Sequence, residues 1–184
     1  MDQLYTPGRV MNILFSYLLF ALPTLAVMRI RRESLASAGM RRENLLSALL
    51  VALLLGGMLV GGTARSSRPV LVPLSAGHFW AVLYFLVVGF GEEFIFRGYL
   101  QTRLVDWLGR WQGWLLASTA MALMHIGQRM AAGGMDFQQA VLSSASLIPI
   151  SLLLGALMLW SGNVVLPGVL HMFMDWVNTL VGSG

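Results

Sequence analysis

Residues 78–101 read HFWAVLYFLVVGFGEEFIFRGYLQ, and the adjacent carboxylates Glu92 and Glu93 decide how the chain is interpreted. The stretch is long and apolar enough to cross a bilayer core, which takes about 20 residues of helix. A carboxylate at that depth costs about 3 kcal/mol on insertion scales, so it faces a bundle interior and has a task there. Arg97 follows Glu93 at i, i+4 with the acid on the N-terminal side, the favourable order for a helical ion pair. Glu92 projects about 100° away from Glu93, so the two acids have different neighbours. The expected division is Glu93 on Arg97 and Glu92 turned toward a polar cavity.

The rest of the 184 residues agrees with that beginning. The chain is 57% hydrophobic and 11% charged, whereas soluble domains are near a quarter charged. It reads as an all-α, polytopic transmembrane helix bundle of about six spans, over residues 11–28, 44–62, 78–101, 112–131, 138–161 and 164–181. Residues 1–77 form two N-terminal spans with an Arg-rich loop, and 78–184 a helical core that carries the chemistry. The fourth span is diluted by Ser118, Thr119, His125 and Gln128, which suits a helix enclosed by its neighbours. The first lacks a basic segment before it and runs straight into Arg29, Arg31 and Arg32, so it is expected to stay uncleaved. Residues 63–77, with Pro69 and Pro73, read as an extended loop.

Every one of the twelve basic residues is arginine. They lie between apolar spans, a placement that marks topology and excludes nucleic acid as a partner. Arg29, Arg31, Arg32, Arg41 and Arg42 put the first loop in the cytoplasm by the positive-inside rule, with the N-terminus outside a plasma or inner membrane. Eight arginines then lie inside and four outside (Arg9, Arg65, Arg68 and Arg129). The absence of cysteine removes disulfides and thiolate metal sites.

Two further spans carry single histidines, His125 and His171. At about 1.5 Å of rise per residue, Glu92, His125 and His171 all fall between the midplane and the cytoplasmic face. An acid and an imidazole on facing helices can hold a water and take its proton. His171 and Asp175 are i, i+4 on one face of the last span. Asp175 can orient His171, join a metal, or pair with a buried imidazole. His78, at the start of its span, reads as solvated, and Trp107, Trp111 and Trp114 as an interfacial belt.

These residues resemble the CPBP family, the type II CAAX prenyl endopeptidases and their bacterial relatives. Gly91-Glu92-Glu93-Phe94-Ile95-Phe96-Arg97-Gly98 is similar to its Glu-Glu-x-x-x-Arg signature. Met121-Ala122-Leu123-Met124-His125 is similar to its Phe-x-x-x-His motif, with Met121 in place of phenylalanine. His171-Met172-Phe173-Met174-Asp175 is similar to its final motif, with Asp175 in the asparagine position. The resemblance spans residues 78–178.

It implies an intramembrane endopeptidase with its site open to the cytoplasm. Glu92 and His125 would activate water, His171 and Asp175 would assist at the oxyanion, and Arg97 would hold Glu93. Its partners would be membrane lipid and a peptide or protein substrate, lipidated or not. Glu92, His125 and His171 equally suit zinc or another divalent metal with an open position, or no metal at all. An ionised Asp175 can only accept hydrogen bonds, whereas asparagine can donate to an oxyanion. Asp175 is therefore expected to be protonated, turned toward His171, or metal-bound. Two other readings stay open: a non-catalytic immunity or scaffold protein that uses the same buried network structurally, and a proton or cation path.

Overall fold

The computed structural model describes residues 1–66 and 74–180, and these contain helices and no strand. The helices are α1 (Pro7–Ile30), α2 (Leu45–Ser66), α3 (Ala76–Glu93), α4 (Thr102–Leu108), α5 (Arg110–Gly133), α6 (Phe137–Ala145), α7 (Ile148–Ser161) and α8 (Val165–Trp176). A π-helical stretch, Phe94–Gln101, joins α3 to α4 and makes one continuous rod. Such widened turns gather at functional sites, and this one begins immediately after Glu93. Of the loop expected at 63–77, residues 67–73 lie outside the described residues, and the flanks are helical instead, 63–66 ending α2 and 76–77 opening α3. Val181, at the end of the sixth span, is also outside the described residues.

Four stretches are long and apolar enough to cross a membrane: Pro7–Ile30, Leu45–Thr63, Ala76–Leu108 and Phe137–Ser161. Together with α5 and α8 they account for the six expected spans, with shifted limits. The third runs to Leu108 because the π-helical stretch carries the helix past Gln101. The fifth is bent at Ser146 and Leu147, just before Pro149 in the first turn of α7, since proline cannot donate to the preceding turn. The sixth is only 12 residues of α-helix followed by a short 3-10 turn. That is too short for a lipid-facing span, and α8 is packed inside the bundle instead.

Small residues bring the inner helices together, as they do where no hydrophobic force acts between helices in lipid. A Cβ on Gly89 would lie 2.7 Å from the Gly168 carbonyl oxygen, so α3 and α8 pack almost backbone to backbone. Ala48 and Ala52 of α2 meet Leu166, Val169 and Met172 of α8 in the central cluster. Helix α1 lies outermost, with Met28 its one buried residue.

Polar contacts fix both ends of the bundle. At one end the first loop is tied to the core. Glu33 binds Arg103 at 2.8 Å, a hydrogen bond that holds the Glu33 carboxyl below the usual carboxylate range. Val164 N–H donates to the Gly39 carbonyl, and fully buried Asn163 donates to the Arg41 carbonyl and to Asn44 Oδ1. At the other end Asp2 accepts from Ser75 Oγ at 2.7 Å and Gly77 N–H at 2.6 Å, and the Ser75 bond in particular lowers its pKa.

His78 corrects the expectation of a solvated residue. It is 2% exposed, and its Nδ1 accepts from the Ser75 N–H in a capping box. The cap satisfies an orphan donor of the first turn, which is why the ring turns inward.

Candidate active site

The turn at Gly109, with φ +87°, folds the α3–α4 rod back against α5. Glu92 stands 17 residues before that glycine and His125 16 after it, so at about 1.5 Å per residue both are about 25 Å from the turn. Gly113 keeps the hairpin tight, because a Cβ there would meet the backbone of Leu104 and Val105. Helix α8 supplies His171 seven residues beyond Val164. Glu92 lies six residues before Gly98, which abuts the Ala38 carbonyl. Both are therefore about 10 Å from the level of the first loop.

Two carboxylate–imidazole sets result. In the first, Glu92 Oε2 faces His125 Nε2 at 3.8 Å. His125 Nδ1 lies 2.9 Å from the Met121 carbonyl, which can only accept, so Nδ1 carries the proton. In the neutral ring Nε2 then presents a lone pair to a carboxylate oxygen that also only accepts. Glu92 Oε2 is buried and has no hydrogen-bond partner among the described residues. With the ring neutral, one water seated beside that line of 3.8 Å could give a proton to each; with the ring protonated, the contact is an ion pair.

In the second set, Glu93 Oε1 is 3.1 Å from His171 Nδ1, and His171 Nε2 is 3.6 Å from Asp175 Oδ2. Of the alternatives for Asp175, the geometry places it toward His171. Glu93 Oε2 is also 3.1 Å from Arg97 Nε, close but not aligned as a hydrogen bond. Arg97 and Glu93 are wholly buried. Arg97 Nη2 donates to Ser151 Oγ at 2.8 Å and meets Met121 Sδ at 2.7 Å. Met121 is thus more than an apolar stand-in for phenylalanine. Its sulfur takes a weak donor contact from Arg97 while its carbonyl sets the tautomer of His125.

Glu92, His125, His171 and Asp175 line one cavity of about 430 Å³. The two sets share that space, and Glu93 and Arg97 lie behind it. A residue the sequence reading missed also lines it: Tyr17 of α1, whose hydroxyl donates to Glu92 Oε1 at 2.6 Å. A lone tyrosine in an apolar span carries no pointer to an acid 75 residues away. Ser151 was missed for the same reason.

The direction of the cavity follows from the helices. On α3 it is lined by Tyr84, Phe85, Val88 and Glu92, and on α5 it continues past His125 to Gln128 and Arg129. Both runs lead toward the end of the bundle that holds Asp2 and Ser75. The Arg-rich loop lies at the opposite end, behind buried Arg97 and Gln101. The sequence reading has the Arg-rich loop and the opening of the site on one side, whereas the cavity lining extends away from that loop.

Among the described residues no group of three or more His, Cys, Asp or Glu side chains is arranged to hold a metal ion. Glu92 and His125 aim at a common point, but His171 is engaged by Glu93 and Asp175. As placed, the three residues do not fit a three-ligand centre.

The fold is an all-helical bundle with helices apolar enough to cross a membrane, and it brings acids and imidazoles together at one cavity. The sequence model of the family described as Type II CAAX prenyl endopeptidase Rce1-like matches residues 73–177, more than half of the chain. The chain belongs to that family, which is a family of proteases. Among curated proteins and solved structures nothing matches.

Proposed function

We propose that the protein is an intramembrane endopeptidase of plasma or inner membranes in which Glu92 and His125 activate the hydrolytic water. The observation that carries this is the approach of Glu92 Oε2 to His125 Nε2 at 3.8 Å in a cavity that both residues line. A water there gives one proton to Glu92 Oε2 as its oxygen attacks the peptide carbonyl carbon. The new C–O bond leaves a tetrahedral oxyanion, and His171, which lines the same cavity, would donate to it with both ring nitrogens protonated. Collapse breaks the C–N bond, and Glu92 returns the proton to the departing amine. Glu93 and Arg97 hold His171 from behind and touch no substrate.

The test is Glu92→Gln, compared with wild type after reconstitution with a solubilised membrane proteome, new peptide N-termini being identified by mass spectrometry. The wild type should generate termini that the variant does not, at equal thermal stability. Equal termini from both would refute the role of Glu92. No termini from either would favour the non-catalytic reading of the same network. Exhaustive chelation of the wild type, with zinc added back, asks separately whether an ion completes the donor set. Turnover that survives chelation leaves the pair acting on water alone.

A further inference from the structure

Helix α1 lies outside the matched residues 73–177, yet it delivers a hydroxyl to the acid of the site. The bond from Tyr17 Oη to Glu92 Oε1, at 2.6 Å, is short in the manner of a bond to a charged acceptor. Its seating is built into α3. The backbone of Gly91 faces the Tyr17 ring so closely that any Cβ there would overlap it. The residue before Glu92 must lack a side chain for the ring to reach Glu92 at all.

Tyr17 also lines two spaces at once. One is the polar cavity, and the other is an apolar groove of about 500 Å³ between α1 and α3, lined by Leu14, Leu18, Val87 and Phe90 among others. The ring stands as the wall between them.

A carboxylate turns easily about its last torsion, which has a broad, two-fold well. Among the described residues nothing else bonds Oε1, and Oε2 has no hydrogen bond. We propose that Tyr17 is the positioning residue of the acid. It pins Oε1 so that Oε2 is the oxygen presented to His125 Nε2, and its ring keeps the apolar groove apart from the hydrolytic water. This rests on the reading of Glu92 as the water-activating group.

Tyr17→Phe keeps the ring and removes the bond. Two measurements follow. The carboxylate infrared band of Glu92 is assigned as the difference between wild type and Glu92→Gln in protein carrying ¹³C-glutamate, feasible because the chain has few acidic groups. That band should move in Tyr17→Phe. With a cleaved peptide in hand, kcat should fall about tenfold to a hundredfold, the effect of one hydrogen bond to a charged group, at unchanged KM and thermal stability.

An unmoved band together with undiminished kcat overturns the inference and leaves the protease reading standing. A moved band in a protein whose wild type cleaves nothing supports the hold of Tyr17 on Glu92 while the protease reading falls. A lower kcat accompanied by an equal loss of thermal stability, with the band unmoved, would make Tyr17 a packing residue and also overturn the inference.

Discussion

Arg97→Met isolates the force that keeps the second carboxylate set in place. Arg97 is 0% exposed and, among the described residues, is the only guanidinium within reach of Glu93, which is equally buried. Substitution strands the Glu93 carboxylate with His171 alone and removes the donor to Ser151. Removing one partner of a buried pair typically costs about 3–5 kcal/mol. A chain of this length loses about 2–4 °C of Tm per kcal/mol, so the expected fall is roughly 6–20 °C. The assay is fluorescence-detected thermal unfolding in detergent, with Glu93→Gln/Arg97→Met measured beside it. The double variant has no stranded charge and should recover at least half of the loss, because an apolar replacement of a whole pair is often close to neutral. A single variant within about 2 °C of wild type, less than 1 kcal/mol on the same scale, would refute the reasoning. A double variant as unstable as the single would place the cost in the lost Ser151 and Met121 contacts instead.

Two further outcomes follow from the packing. Gly91→Ala should push the Tyr17 ring off Glu92, lowering turnover as Tyr17→Phe does but with a stability loss of about 1–3 kcal/mol from overpacking, read by the same unfolding assay. Equal turnover and Tm would show that the ring has room to move. Because the chain has no cysteine, Ala36→Cys on the first loop and Gln128→Cys on the cavity wall report their membrane faces cleanly. An impermeant thiol reagent on sealed vesicles should label the two from opposite sides, and labelling from one side would refute the direction assigned to the cavity.

Much of the fold was legible because lipid imposes a simple rule on composition. Apolar runs of spanning length had to be helices, since backbone groups in hydrocarbon must be satisfied within the segment. The same rule made the polar exceptions informative: Glu92, Glu93, Arg97, His125, His171 and Asp175 stood out because each is expensive at that depth. Helical spacing gave the Glu93–Arg97 and His171–Asp175 pairs, since i, i+4 contacts are local.

What depends on contacts between distant segments was not legible. Tyr17 on Glu92, Met121 on Arg97, and the inward ring of His78 are decided by which helix lies beside which. Nor does a sequence show that a π-helical stretch starts after Glu93, or that the cavity runs away from the Arg-rich loop. The sequence by itself determined that ionisable groups would be hidden in a helical bundle, because the cost of exposing them to lipid is a property of each residue. Only the tertiary structure decided which oxygen meets which nitrogen and which residues line the cavity, because small residues such as Gly89, Gly91 and Gly168 set how closely particular helices approach.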